Sequence, residues 1–145
     1  MENLRRQYND NVQKFKADFA DCSDFLLKEA ETGGRKCFFA VMDGLVDSLQ
    51  LGQMIMGPVL GAQVEACTPG EQFRQLMRTC VQSVELKEAK TFEDAYYYLM
   101  SGFCVFVLDG CPRAMVMGIQ GWTKRSTDEP ESESNVRGAK ECFVE

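Results

Sequence analysis

The stretch from Phe103 to Met117 constrains the fold of this chain more than any other. An apolar run of β-forming residues from Phe103 to Leu108 is followed by Asp109-Gly-Cys-Pro112 and by a second apolar run from Ala114 to Met117. Asp, Gly and Pro between two such runs are typical of a tight turn. The sequence therefore predicts a β-hairpin, with two antiparallel strands around a short turn.

Helical periodicity appears at several places before the hairpin. Apolar residues recur at steps of three and four near the start of the chain and predict an amphipathic helix, which carries Leu4, Tyr8, Val12, Phe15 and Phe19. Thr68, followed by Pro69 and by Glu71, predicts a helix start with a capping box. Thr91 predicts the N-cap of a further helix, because acidic residues fill the first turn that follows it.

Two more helices are predicted from weaker signals. Ser23 is a candidate N-cap for a short helix that contains Phe25-Leu-Leu27 and stops at Gly33-Gly34. Asp47 or Ser48 caps a helix that carries Leu51, Met54, Ile55 and Val59 and that Gly57-Pro58 kinks or ends.

The continuous apolar run from Cys37 to Met42 predicts a central strand buried on both faces. Alternation from Ser83 to Lys87 predicts a short, half-exposed strand. Strands that alternate with helices indicate the α/β class. We therefore expect a mixed β-sheet of about four strands flanked by helices, ending in the antiparallel hairpin and an extended tail.

Composition limits the kinds of protein to which the chain can belong. Its 145 residues, 45% of them hydrophobic and 26% charged, are typical of one soluble globular domain. A net charge of −6 with scattered basic residues provides no surface for nucleic acid. Apolar runs are much shorter than the roughly 20 residues that span a bilayer, and the N-terminus lacks the apolar segment of a signal peptide.

The seven cysteines are irregularly spaced, mostly among apolar neighbours, and odd in number. This pattern predicts free buried thiols and a reducing compartment rather than a disulfide framework.

Motifs for catalysis and for cofactor binding are absent from the sequence. Histidine does not occur, so the most common general base and metal ligand are missing. No Cys-x-x-Cys, P-loop or Gly-x-Gly-x-x-Gly motif is present. We therefore expect a non-enzymatic protein with no cofactor and no metal.

Two apolar hexamers in the sequence end in Asp-Gly, one at Asp43-Gly44 and the other at Asp109-Gly110. On the first interpretation, both are simply good turns after core strands. On the second, both turns lie at one edge of the sheet and line a common surface, as functional groups often do in α/β folds. Asp43 and Asp109 are accordingly candidate surface-turn residues.

The segment after the hairpin, residues 121–145, is too polar for a core. It offers an aromatic anchor, basic residues and carboxylates, and its candidate interaction residues are Trp122, Arg125, Glu129, Pro130, Arg137, Gly138, Lys140, Glu141 and Phe143. Composition alone is compatible with a solvated linker. The alternative is an ordered connector that docks on a neighbouring domain or subunit.

The same segment resembles a known family. From Gly121 to Glu145 it follows the pattern Gly-Trp-x-x-Arg-x-x-x-Glu-Pro-x-x-Glu-x-x-Val-Arg-Gly-x-Lys-Glu-x-Phe-x-Glu. This is similar to the junction signature of the spore germinant receptor A-subunit (GerA) family, and stretches from about Ser23 onward follow in the same order. Ala139 and Cys142 depart from the family pattern, which has Pro and Gly around its basic residue.

The resemblance implies a domain organisation and a function. Residues 1–120 would form an α/β subdomain, and residues 121–145 a junction leading to a second subdomain absent from this chain. The whole protein would be an A subunit that acts with B and C subunits in nutrient sensing and ion release. A small-molecule germinant would bind only with the second subdomain present. Alternatively, the chain is an interaction module for A-subunit self-association, with no ligand site of its own.

The resemblance also implies a location. The full-length protein would lie in the spore inner membrane. The side comes from the residues instead, because free cysteines and the lack of a signal peptide favour the cytoplasmic, spore-core side for this soluble domain.

Overall fold

The structure, a computed structural model, describes residues 2–46, 49, 51–62, 68–79 and 85–118. Its elements in chain order are α1 (Tyr8–Asp18), β1 (Phe25–Thr32), β2 (Arg35–Met42), α2 (Gly57–Leu60), α3 (Pro69–Thr79), β3 (Glu85–Ala89), α4 (Phe92–Met100), β4 (Cys104–Leu108) and β5 (Ala114–Gly118). A π-helical segment, Leu51–Met56, leads directly into α2.

The strands form one five-stranded sheet in the order β1-β2-β4-β5-β3, and every neighbouring pair is antiparallel. The α/β class is confirmed, but the expectation of a mixed sheet of about four strands is wrong. The run from Cys37 to Met42 is a buried internal strand as predicted, although β4 and not β2 is the middle strand of the sheet.

The extra strand is β1, in the region for which a short helix was predicted after Ser23. Gly33 and Gly34 both have positive φ, +58° and +82°, and form a two-residue turn that pairs Thr32 with Arg35. Such a turn matches the twist of two antiparallel strands. The whole of β1 pairs with buried β2, and this tertiary pairing overrides the local helix-start signal.

Two helical layers cover the sheet. On one face α1 and α4 pack on side chains of alternate strand residues, including Phe38, Ala40, Met42, Val105 and Val116. On the other face the π-helical segment, α2 and α3 pack on the intervening residues, including Cys37, Phe39, Phe106, Leu108 and Met115. Because side chains alternate between the faces of a strand, continuous apolar runs supply both cores.

Three features predicted from sequence are confirmed. The apolar stripe is buried as predicted, although α1 is shorter than the stripe, with Leu4 before it and Phe19 at its C-cap. The Glu71 N–H donates to Thr68 Oγ1 (3.2 Å), and the Thr68 hydroxyl donates to the Glu71 carboxylate (3.0 Å). Thr91 caps α4 by accepting from the Asp94 N–H at 3.1 Å.

The remaining elements match their predictions in part. The π-helical geometry gives way to α2 at Gly57-Pro58, where a kink was predicted, and a proline is tolerated there because it lies in the first turn. The short strand is β3, shifted toward the C-terminus from the predicted Ser83–Lys87. Residues 47–48 and 83–84, which belonged to these predictions, lie outside the described residues.

The prediction of free buried thiols is confirmed for three cysteines, namely Cys37, Cys104 and Cys111. It is wrong for Cys22, which is disulfide-bonded. Cys22 therefore gives no support to the reducing compartment that was inferred from the cysteine pattern.

Candidate functional site

The turn of the β4–β5 hairpin is held between two other parts of the chain. The Asp109 N–H donates to Lys36 O (2.8 Å), and the Gly110 N–H donates to Arg6 O (3.0 Å). On its other side Gly110 touches the start of α3, since a Cβ added to Gly110 would lie 2.6 Å from Pro69 Cγ. The turn is therefore fixed in position by backbone contacts.

An open pocket of about 350 Å³ lies beside this turn. Its lining residues come from the segment before α1, from the first turn of α1, from β2 and from the hairpin turn, and they are Arg6, Gln7, Tyr8, Asn9, Lys36 and Asp109. The sheet end and the helix start meet here because the Arg6 carbonyl binds the hairpin turn directly. We refer to this feature as the hairpin-end pocket.

The charges of the hairpin-end pocket suit a small polar molecule. Arg6 and Lys36 form no ion pair with another described residue. Asp109 supplies a single carboxylate, and the first turn of α1 adds the positive end of a helix. A ligand with an anionic group near the two cations fits this charge distribution.

Among the described residues that line the hairpin-end pocket, no known catalytic constellation is assembled. Tyr8 directs its hydroxyl inward, 2.7 Å from Glu29 Oε1 and 3.1 Å from the Cys37 carbonyl oxygen. Burial and the hydrogen bond to Glu29 raise the pKa of Tyr8, so the hydroxyl stays neutral. No cluster of His, Cys, Asp or Glu among the described residues is arranged to hold a metal ion.

Cys111 lies in the turn itself but is buried. Burial raises the pKa of its thiol, although Arg113 acts in the opposite direction. Arg113 is in turn held by Glu88, 2.8 Å away, and its guanidinium lies 5.1 Å from the centre of the Phe73 ring. These contacts stabilise the hairpin against β3 and α3, and they leave the thiol a packing group, as the sequence indicated.

The two Asp-Gly turns do not share a surface. Because β2 and β4 are antiparallel, with Cys37 opposite Leu108, the ends of these strands lie at opposite ends of the sheet. Asp109 lines the hairpin-end pocket, whereas Asp43 is exposed at the far end, where its N–H donates to Asp24 O at 2.7 Å. The hypothesis of one common surface is therefore wrong, and the two turns are separate.

The candidate interaction residues of the tail, from Trp122 to Phe143, lie outside the described residues. Their role stays a prediction.

Of the residues that line the pocket, sequence singled out Asp109 as a candidate. Tyr8 was assigned to the apolar stripe, and neither Arg6 nor Lys36 was singled out. Only the antiparallel pairing of β2 with β4 brings Lys36 to Asp109, and that pairing is not visible in the local pattern.

Comparison with known proteins identifies the family of the chain. Residues 13–145 match the family described as Bacillus/Clostridium GerA spore germination protein. The chain belongs to the GerA family. The match confirms the resemblance noted in the C-terminal segment and extends it over nearly the whole sequence.

Two relatives of this GerA-family chain come from Bacillus subtilis (strain 168). The uncharacterised membrane protein YfkQ is 28% identical over 125 residues, which is 86% of this chain and 24% of YfkQ. Spore germination protein KA is 25% identical over 138 residues, which is 93% of this chain and 25% of that protein. The chain thus spans about a quarter of the length of these relatives.

The fold of the GerA-family chain also has a counterpart among crystal structures. It superposes on the N-terminal domain of the A subunit of the Bacillus megaterium spore germinant receptor GerK3 with a TM-score of 0.63 and 19% identity. The match covers 83% of this chain and 49% of that domain. Within the described residues, no helix is both long enough and apolar enough to cross a bilayer.

Proposed function

We propose that this chain is the first subdomain of the N-terminal region of a spore germinant receptor A subunit. In this role it contributes to sensing a nutrient and to passing the signal, with B and C subunits, to the release of ions from the spore. The observation that carries the proposal is the family match over residues 13–145. The charged and polar groups that line the hairpin-end pocket also suit the binding of a small polar molecule.

The test is genetic and uses the full-length protein. Spores that lack the gene should no longer release ions in response to at least one nutrient, and the wild-type gene should restore the response. A matched strain with an unrelated membrane protein deleted is the control. Unchanged germination with every nutrient that acts on the parent strain would contradict the proposal.

We further propose that residues 1–120 form the subdomain and that residues 121–145 lead to a second subdomain. The coverage of the GerK3 domain supports this division, because this chain matches only about half of it. A ligand cleft at the contact between two subdomains is a common location for small-molecule sites. Half of the cleft would then be missing here, and this chain alone should bind germinants weakly.

Limited proteolysis with mass spectrometry tests the division. The chain 1–145 is compared with a form extended into its natural C-terminal sequence. Residues 126–145 should become protected only in the extended form. Equal cleavage of these residues in both forms would make the segment a plain linker.

The second candidate function is an interaction module that joins A subunits and has no ligand site. The motif in the tail favours it, because Trp and Arg are common anchors of interfaces. In the full-length protein, Trp122→Ala and Arg137→Ala should then reduce assembly while the domain stays folded, and Ser132→Ala serves as the control in the same segment. Normal assembly of both variants would count against this function.

The partners and the location belong to the same proposal. We expect the full-length protein to copurify with B and C subunits from the spore inner membrane, with this domain on the spore-core side. An N-terminal tag should be protected from protease added outside sealed membrane vesicles of native orientation. Cleavage of the tag by external protease would place the domain on the opposite side.

A further inference from the structure

Three aromatic rings form a row that begins where the described chain ends. A Cβ added to Gly118, the last residue of β5, would lie 2.7 Å from the Phe103 ring, so the backbone rests directly on this ring. The Phe103 ring centre is 5.1 Å from that of Tyr98, and the Tyr98 ring centre is 5.2 Å from that of Tyr97. We call Phe103, Tyr98 and Tyr97 the aromatic row.

The aromatic row runs from the core to the surface. Phe103 is buried, Tyr98 is half-buried, and Tyr97 is 58% exposed, although its neighbour Tyr96 is packed in the core. Lys87 Nζ on β3 lies 5.8 Å from the Tyr98 ring centre. The row therefore presents an open aromatic face beside a cation, at the sheet end opposite the hairpin-end pocket.

We propose that the aromatic row is the docking surface for residues 119–125 of this same chain, with Trp122 as the anchor. Trp122 is the fourth residue after Gly118, and four extended residues reach about 14 Å. This reach exceeds the two successive ring separations of 5.1 and 5.2 Å taken together. Trp122 can therefore reach every ring of the row without displacing β5.

Chemistry also favours Trp122 as the occupant. Its indole is the largest aromatic side chain available, and offset or edge-to-face contacts with tyrosine rings are favourable. Arg125, three residues further on, brings a planar cation that can stack on the exposed Tyr97. The inference does not rest on the proposed receptor function, because it concerns only the start of the junction and its own subdomain.

Docking at the aromatic row would fix the direction in which the junction leaves the sheet. The remaining junction residues would then contact a second subdomain or subunit from a defined starting point.

Trp122 is the single tryptophan of the chain, so tryptophan fluorescence reports on the environment of this residue alone. The experiment measures acrylamide quenching of the 145-residue chain, of Tyr97→Ala, and of Leu60→Ala as the control. Leu60 is a partly exposed apolar residue on α2, on the other face of the sheet. Far-UV circular dichroism verifies that each variant is folded.

In the unmodified chain, acrylamide should quench Trp122 much less than it quenches free N-acetyltryptophanamide. Tyr97→Ala removes one aromatic pair, which should lower the ratio of docked to undocked molecules about fivefold and raise the quenching accordingly. Leu60→Ala should leave the quenching unchanged. Full accessibility of Trp122 in the unmodified chain, or equal protection in Tyr97→Ala, would overturn the proposal.

A second measurement needs no variant. Nuclear Overhauser contacts between the Trp122 indole and the rings of Tyr97 or Tyr98 should be present in the unmodified chain. Contacts from the indole to a different surface would overturn the proposal as well.

Discussion

The two Asp-Gly turns provide a matched pair of substitutions that tests the packing of the hairpin turn. Gly110 and Gly44 both have positive φ, +87° and +94°, and each follows an aspartate at the end of an apolar strand. They differ in their surroundings. A Cβ at Gly44 meets nothing within 4 Å, whereas one at Gly110 would lie 2.6 Å from Pro69 Cγ and 3.1 Å from Pro69 Cβ.

These distances determine how much stability each substitution to alanine should cost. Alanine at either position adopts a left-handed backbone conformation at a cost of roughly 1–2 kcal/mol. For Gly110→Ala the overlap with the proline is added, because non-bonded carbon atoms normally stay about 3.5–4.0 Å apart. A proline ring cannot rotate away, and overpacking costs about 1–3 kcal/mol. The free energy of unfolding should therefore fall by about 1–3 kcal/mol more for Gly110→Ala than for Gly44→Ala.

Urea unfolding followed by far-UV circular dichroism measures both values, and an unchanged slope with urea indicates a stability effect alone. Adding Pro69→Ala to Gly110→Ala removes Pro69 Cγ, the atom nearest to the new Cβ. The double variant should therefore recover part of the extra loss of stability, and a double-mutant cycle quantifies the recovery. Equal destabilisation by the two single substitutions would refute the contact between the hairpin turn and α3.

Three further predictions concern the described part of the chain. Thr91→Ala should lower the free energy of unfolding by about 1 kcal/mol through loss of the α4 cap, whereas Thr91→Ser should retain most of it; equal losses in urea unfolding would contradict the cap. In the native protein a thiol reagent should leave Cys37, Cys104 and Cys111 unlabelled, as measured by mass spectrometry. Burial raises the pKa values of these thiols, that of Cys37 to about 12. Rapid labelling of any of them would contradict their burial. Burial and the hydrogen bond to Glu29 raise the pKa of Tyr8 above its ordinary value of 10.0. The unfolded chain therefore loses this proton first, and the free energy of unfolding should fall as pH rises above 10.0. Tyr8→Phe should reduce that decline, and an unfolding free energy with the same pH profile in both proteins would contradict this coupling.

Local signals in the sequence were sufficient to predict those elements that depend on residues close together in the chain. The hairpin around Asp109-Gly110 and the caps at Thr68 and Thr91 were predicted because each depends on residues a few positions apart. In each case the structure contains the expected hydrogen bonds or strand pairing.

Pairings between distant residues were not predictable in the same way. β1 follows a helix-start signal at Ser23, yet it is a strand because β2, buried over most of its length, pairs with all of it. Phe25-Leu-Leu27 fits either structure, since short apolar runs do not distinguish a strand from a buried helix. The error in strand direction has a different origin. Helices between the strands at β2, β3 and β4 suggested parallel crossovers, but β2 pairs directly with β4 and β3 pairs with β5, both antiparallel.

The hairpin-end pocket shows the same limit for a site. Arg6, Lys36 and Asp109 are far apart in sequence and become neighbours only through the antiparallel pairing of β2 and β4 and the contact of the Arg6 carbonyl with Gly110. Sequence motifs do not encode such an arrangement.

Calorimetric titration with amino acids and sugars tests the central claim most directly, when this chain is compared with a form extended through the second subdomain. The account predicts no binding, or only millimolar binding, to the 145-residue chain, and tighter binding to the extended form. Saturable micromolar binding to the 145-residue chain would contradict the claim that it provides only half of a ligand cleft.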